Sequence, residues 1–556
     1  MHRALEIAEL VEIICGHVAP SEELRRRKDL DADDWHKNLK KERTLALDSL
    51  SQFARTSRMF LDPVLNALWS YQGTIVYLLR VMPGAWMIKE KCDGWSQGPD
   101  LDITQLRPLT ASDRDRFLFY ARRVKSFSFE DEGFFKPPKI YDSLRACIHE
   151  TCILPNLQRL HWPPRGDGLL KHVQLFLSPA ITHLTANMIS SKNIPVLSTF
   201  TLKCPHVKHL TIWADEETPQ AILPISKLVC ALQRLQFLDV PGLDARALVH
   251  IARLPTLQHL RLTDGVGPSV MPLTESADYF PALTRLEHWA PECTPALLQM
   301  MIQSPLTDLK FRSGKVATSS VVETFISALC HHCAHAPLQN LCLRMEVDRP
   351  SPPIRADNLD SYVVGEEILK PLFSFGNLVS VQLAYPVGFD IDDAVVRNMA
   401  RAWPRLEALI LPHHHPHHLP PIRVTLTGVY SLAKYCPLLE RLTMSFDATV
   451  TPPKIKRSSR YPPPLYRVYH ENLWFLDVAD SPIAKAKPVA KFLNTVFPWL
   501  DEIKTFESTR TIITDPQVLS FHPAWKKVAA ILEDLIYLAS YLRSVRFKWK
   551  ARKMFI

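Results

Sequence analysis

Apolar residues return along this chain in a frame whose second and third members lie three and five positions after the first. The plainest copy is Pro255–Leu262 (PTLQHLRL), where Leu257, Leu260 and Leu262 alternate with polar positions. The frame recurs after Pro155, Pro195, Pro205, Pro281, Pro404, Pro437 and Pro498, and in a version one residue shorter after Pro305 and Pro337. Copies without the proline start at Val124, Leu235, Leu378 and Leu473. Taking the first apolar residue of each unit as its anchor gives 124, 157, 181, 207, 235, 257, 283, 306, 338, 378, 406, 439, 473 and 500. Ile181 (ITHLTA) is the weakest anchor, and PVLSTFTL from Pro195 reads as an extra strand or an alternative register. Most intervals are 22 to 34 residues, with one of 40 after Leu338.

Each tract predicts a short strand, because period-two alternation sends its last two apolar residues to one face. Between the tracts run helical patterns: DARALVHIARL, PALLQMMIQ, SSVVETFISALCHHC and DDAVVRNMARAW, each followed by a proline that stops it. Strand, helix and return to a parallel strand is the leucine-rich-repeat coil, so the fold class is α/β, a curved solenoid with strands inside and helices outside. A purely helical solenoid of the HEAT or armadillo type is the competing architecture, and the alternating tracts argue against it. The solenoid is expected over 117–508, with loops at 349–375 and 449–466. A cap is expected over 509–556, where Trp525, Val528, Leu532, Leu535, Ala539 and Leu542 have helical spacing.

The first seventy residues follow another pattern. LEIAELVEIICGHV sets Leu5, Leu10, Val11, Ile14 and Val18 near one helical face. After a charged excursion over 20–43, Leu47, Leu50, Phe53 and Ala54 mark a second helix, and Asp62–Pro63 is expected to start a third. Residues 71–116 carry no clear period and read as a connector or an irregular first repeat.

Composition narrows the function. The chain of 556 residues is 47% hydrophobic and 22% charged, enough to bury a core, and has 45 Pro against 16 Gly. A net charge of +9 is modest at this length and argues against a nucleic-acid partner without a clustered basic stripe. No signal peptide, glycosylation sequon or membrane-spanning apolar run is evident, so a cytoplasmic or nuclear protein is expected. The eleven scattered cysteines read as reduced and mostly buried.

Catalytic motifs are missing. Gly314–Lys315 lacks the upstream glycine of a phosphate loop, and Gly265-Val266-Gly267 has Val270 where a third glycine belongs. No enzymatic activity and no cofactor are expected. Cys330-His331-His332-Cys333, with His335 and Cys342 nearby, is the best metal candidate, but Cys330 lies in an apolar stripe. The histidines at 413–415, 417 and 418 are interrupted by proline. Neither cluster is taken as a metal site. The basic, proline-rich run 451–464 reads as a solvated connector.

The residues flanking the buried positions of the middle tracts point away from the core. They are His259, Arg261 and Thr263; Arg285, Glu287 and Trp289; Asp308, Lys310 and Arg312; Asn340, Cys342 and Arg344. Of these, His259, Arg261, Arg285, Trp289, Lys310, Arg312 and Arg344 are the candidate substrate-binding residues, suited to an acidic or phosphorylated protein partner.

The amino-terminal module, with Ala-Arg-Thr-Ser-Arg-x-Phe in its second helix and Asp-Pro-x-x-x-x-Leu-Trp at 62–69, resembles an F-box. The likeness is to the large fungal (basidiomycete-type) F-box/leucine-rich-repeat families. That resemblance implies a substrate-recognition adaptor of an SCF-type ubiquitin ligase, docking through a Skp-type adaptor to a cullin scaffold. It implies that Leu5, Ile7, Leu10, Val11 and Ile14 meet the adaptor, while Phe53, Leu65 and Leu68 extend that contact or build the module's own core. Ala8 stands where an F-box commonly has proline, and the 20–43 excursion is long for one. The alternative is an interaction scaffold whose degenerate F-box has no ligase role.

Overall fold

A computed structural model of the chain describes residues 8–19, 33–91, 100–129, 138–162, 170–189, 194–214, 219–263, 279–289, 294–313, 317–333, 337–345, 359–385, 388–411, 422–453, 470–504 and 521–535. The chain divides into two units, Met1–Ala247 and Leu248–Ile556.

The first unit opens with three helices, α1 (Ala8–Val18), α2 (Asp33–Ala54) and α3 (Arg58–Trp69). The expected charged excursion is therefore shorter: residues 33–43 continue the helix that carries Leu50 and Phe53, and 20–32 lie outside the described residues. The third helix begins at Arg58 rather than at Asp62–Pro63. Ser57 caps it by accepting the Met59 amide at 3.3 Å, and Pro63 is buried inside the helix. Ser57 lies in extended backbone (φ −156°), which lets its hydroxyl turn onto the first free amides.

Strand β1 (Tyr71–Gln72) follows directly. An antiparallel pair of β2 (Trp86–Lys91) and β3 (Asp100–Gln105) comes next, and β1 itself pairs in parallel with Ser126–Ser128. The parallel strands then continue through β4 (Ser126–Ser128), β5 (Arg159–Trp162), β6 (His183–Ile189), β7 (His209–Ala214) and β8 (Phe237–Val240), each beside its predecessor. The second unit repeats the plan with β9 (His259–Leu262), β10 (Arg285–His288), β11 (Asp308–Ser313) and β12 (Asn340–Met345). After a small separate strand, β13 (Val364–Gly365), come β14 (Ser380–Ala384) and β13's partner β15 (Phe389–Asp390). Strands β16 (Ala408–Leu411), β17 (Arg441–Met444), β18 (Phe475–Asp477) and β19 (Glu502–Lys504) complete the array.

In all fourteen units marked by an anchor, the strand starts two residues after it, from Ser126 after Val124 to Glu502 after Leu500. Every anchor is buried. One carbonyl explains the offset. The residue after the anchor accepts two successive amides from the next coil: the Gln258 carbonyl takes Thr284 and Arg285 at 2.9 and 3.0 Å, and the Thr284 carbonyl takes Thr307 and Asp308 at the same distances. Within each unit this forked acceptor fixes equal register from coil to coil, so each anchor stacks on the last. The helices cover the anchor side, as where Phe325 of the helix Ser319–His332 meets Phe311 of β11 edge to face at 4.3 Å.

Three expectations change. The segment after Pro195 is a helix, Val196–Lys203, because the strand before it is already set by Ile181, Leu184 and Ala186, all buried. The expected loop 349–375 is built from 359 onward, with helical turns at Leu359–Tyr362, Glu366–Leu369 and Lys370–Ser374 that bury Leu369, Leu372 and Phe375. The last helix is described over 521–535, where Trp525, Val528 and Leu532 are buried and the Trp525 indole donates to the Ser481 carbonyl at 2.8 Å. Ala539 and Leu542 lie outside the described residues.

Buried His470 supplies a pH test of the packing. The Leu473 amide donates to its Nδ1 at 3.2 Å, so the ring proton sits on Nε2 and is donated to the Cys436 carbonyl at 2.7 Å. Both nitrogens are used by the neutral ring. Burial lowers its pKa from 6.5, an effect the Cys436 carbonyl partly opposes. Since the folded value lies below the unfolded one, this residue's contribution is complete above pH 6.5 and is lost as pH falls below it. Urea unfolding of wild type should therefore lose stability from about pH 7 to about 5, and His470→Gln should lose less over the same range. Parallel curves would contradict this assignment.

Candidate functional site

The register aligns the outward residues of the second unit into rows. His259, Arg285, Asp308, Asn340 and Ser380 form one; Arg261, Glu287, Lys310, Cys342 and Gln382 form the next. Arg312 and Arg344 are neighbours in a third. The structure thus brings six of the seven candidate substrate-binding residues onto one open strand face, and Trp289 follows directly after β10.

The electrostatics of that face are more balanced than a count of basic residues suggests. Glu287, only 9% exposed, lies between Arg261 and Arg312, whose Nε atoms are 3.6 and 3.4 Å from its Oε1. The same two guanidiniums stand 5.7 and 5.9 Å from the Trp289 ring, so one carboxylate and one indole hold both arginines in place. Asp308 lies 3.6 Å from Arg285 Nε and accepts the Asn340 amide at 2.9 Å. His259 is pushed down to about 4 by burial, which outweighs the opposing pull of Glu287, and is neutral at physiological pH.

Further along, Asp308, Lys310, Arg312, Asn340, Leu341, Cys342, Arg344, Ser380 and Gln382 surround a depression of about 370 Å³. Ser380 and Gln382 were not among the expected residues. The rule that found the others reaches them from the Leu378 anchor, but the 40-residue interval before it set that tract apart. Burial raises the Cys342 thiol, which donates to the Gln382 side-chain oxygen at 3.5 Å.

This placement bears on the metal candidate. Cys342 lies on the open strand face, whereas Cys330 and Cys333 close a helix, so the three do not form one ligand set. Burial pushes the Cys330 and Cys333 thiols up to about 11 and about 12. Among the described residues no group of three or more His, Cys, Asp or Glu could hold a metal ion. His335 and the histidines at 413–418 lie outside the described residues.

The amino-terminal module presents a second surface. Val11 and Cys15 of α1, Leu50 of α2, and Phe60 and Val64 of α3 form its core, with Phe53 stacked on Phe60 at 4.4 Å. Val11 therefore faces inward and does not meet a partner as the resemblance implies. Leu68 and Phe53 also pack on this core, and Leu65 is half-buried. The other side of α1 exposes Leu10, Ile13, Ile14 and Val18 to between 38% and 55%. Ile13 was missed, although it lies three residues from Leu10 and shares its face. Leu5 and Ile7 lie outside the described residues.

Arg123 ties this module to the first coils. It donates to Asp62 at 2.7 Å and to the Asn66 amide oxygen, and its guanidinium lies 4.7 Å from the Phe119 ring. The Ser70 carbonyl accepts the Lys125 and Ser126 amides, both at 2.8 Å, so the chain leaving α3 already starts the strand ladder.

Replacing Glu287 by Gln removes the charge that two arginines share. The expected cost is about 1–2 kcal/mol by urea denaturation, since the site is only partly shielded from water. A change within experimental error would show that the carboxylate does not hold the pair.

No protein-family profile and no curated protein matches this chain. Among solved structures, a chain from the crystal structure of the Rad7 and Elc1 complex in yeast is 15% identical, with 63% of this chain and 82% of that chain covered. The TM-score is 0.29, a likeness too slight to carry an argument.

Proposed function

We propose that this protein is a non-catalytic substrate receptor of an SCF-type ubiquitin ligase. In this reading α1 docks on a Skp-type adaptor, the adaptor bridges to a cullin, and the open strand face holds a protein substrate. The observation that carries it is the exposed apolar band Leu10, Ile13, Ile14 and Val18 on a helix whose opposite side already fills the module's core. Such a band is unfavourable in water and is relieved by an apolar partner surface.

The work of such a receptor is proximity. Holding a substrate's lysines near a charged ubiquitin carrier raises their effective concentration, and the covalent chemistry belongs to other subunits. A firmly seated docking module suits that task, and the Arg123 bonds to α3 together with the Ser70 carbonyl supply the seating. Among the described residues no helix is long and apolar enough to cross a membrane.

The outward position of Leu10 and Ile14 makes a clean test possible. Leu10→Asp/Ile14→Asp should abolish co-purification with a Skp-type adaptor, weakening the complex about tenfold or more, while leaving thermal unfolding unchanged. Val11→Asp should instead unfold the module. Failure of wild type to associate would end the ligase reading in favour of an interaction scaffold.

A further inference from the structure

The helix side of the second unit carries a group of cations without a counter-charge among the described residues. Arg397 and Arg401 are exposed on the helix Asp393–Ala402, and Arg405 is exposed three residues beyond its end. Lys434 is exposed on the neighbouring helix Leu426–Tyr435. None of the four forms an ion pair among the described residues. The one carboxylate in the sequence of either helix is Asp393, four residues before Arg397. Its oxygens accept the Thr425 amide and hydroxyl, both at 2.7 Å, and the Gly428 amide at 2.9 Å, so it is occupied where the second helix starts.

Two of the cations converge on one phenol. Arg401 Nη2 donates to the Tyr435 hydroxyl at 3.2 Å, and its guanidinium carbon lies 5.0 Å from the ring centre, with Lys434 Nζ at 4.9 Å. The bond from Arg401, and then that from Lys434, lowers the Tyr435 pKa from 10.0. Stabilisation of the helix dipole accounts for Arg401 and Lys434, which sit in the last turns of their helices. It does not account for Arg397 one turn earlier or for Arg405 beyond the helix. Like charges four residues apart on a helix repel, and an anionic partner turns that repulsion into attraction.

Spacing and surroundings narrow the anion. The helix rises about 6 Å from Arg397 to Arg401. Side chains on one side of an extended peptide recur at about 6.7 Å, so alternate carboxylates of such a peptide meet successive arginines. Leu438, three residues after Tyr435, is 45% exposed. A protein segment can cover that leucine with an apolar side chain, which a phosphodiester backbone does not have.

We propose that the helix side around Arg397, Arg401, Arg405 and Lys434 binds an extended acidic segment of a protein partner, with Asp or Glu at alternate positions and an apolar residue against Leu438. The proposal uses neither the open strand face nor the adaptor, and it stands or falls apart from the ligase reading.

The test uses the full chain alone and a labelled peptide of alternating glutamate and serine with one central leucine, followed by fluorescence anisotropy. Saturable binding is expected, and it should disappear when glutamine replaces every glutamate. Arg397→Gln/Arg401→Gln should weaken binding about tenfold, as for two exposed ion pairs lost together, with thermal unfolding unchanged. Arg397→Lys/Arg401→Lys should keep most of the affinity, because it keeps the charge. Leu438→Ser should also weaken binding, and Lys227→Gln, exposed on the helix Ile222–Ala231, should not. The proposal is overturned if the glutamine peptide binds as well, if Arg397→Gln/Arg401→Gln binds like wild type, or if Leu438→Ser has no effect. It is also overturned if Lys310→Gln on the strand face causes the same loss. Tighter binding of a single-stranded oligonucleotide or of phosphatidylserine vesicles, lost in Arg397→Gln/Arg401→Gln, would overturn it in favour of those partners.

Discussion

A single carbonyl, repeated from coil to coil, sets the geometry on which the rest of this structure depends. Within each unit the residue after an anchor accepts two consecutive amides from the coil that follows, as the Thr307 carbonyl does with Gln339 and Asn340, both at 2.9 Å. The forked bond leaves no freedom to slip, because a shift of one residue would turn every leucine of the strand outward. Anchors therefore stack on anchors, and the same rule applies to the residues between them. Arg261 faces Glu287, Glu287 faces Lys310, and Lys310 faces Cys342, although these pairs are 23 to 32 positions apart in the chain. The ladder that stabilises the array also composes its surface.

That composition decides what the surface can do. Alternation alone implies an open row of basic residues, but register places Glu287 between two of them and Trp289 within reach of both. The arginines become a braced structural feature, whereas Lys310 is exposed and forms no ion pair among the described residues. A similar division holds at the amino terminus. Val11 and Cys15 are spent on the module's own core, which leaves Leu10, Ile13, Ile14 and Val18 to face outward. In both places a patch of one residue type divides into members that hold the fold and members that remain for a partner.

The repeat was legible in the sequence because its signal is local: three apolar positions at fixed spacing suffice to place a strand, and every anchored strand begins where its anchor implies. What escaped depends on neighbours far along the chain or on competing local signals. Asp62 looked like a helix cap, but its carboxylate is engaged by Arg123, and Ser57 caps the helix instead. The β-branched residues after Pro195 imitate a strand, yet the strand of that coil had already been formed around Leu184. Residues 359–374 follow a proline-rich run and have no regular period, and short turns nevertheless bury Leu369 and Leu372. The candidate face itself was half legible. Its residues follow from alternation, whereas the balance between Glu287 and its two arginines follows only from register.

The central claim is that the outward band of α1 is a docking surface for a Skp-type adaptor. Hydrogen–deuterium exchange of the full chain, with and without that adaptor, tests it most directly. The account predicts slowed exchange concentrated in residues 8–18, with the strands of the second unit unchanged. Exchange that is unaffected in those residues, or slowed only elsewhere, would contradict it.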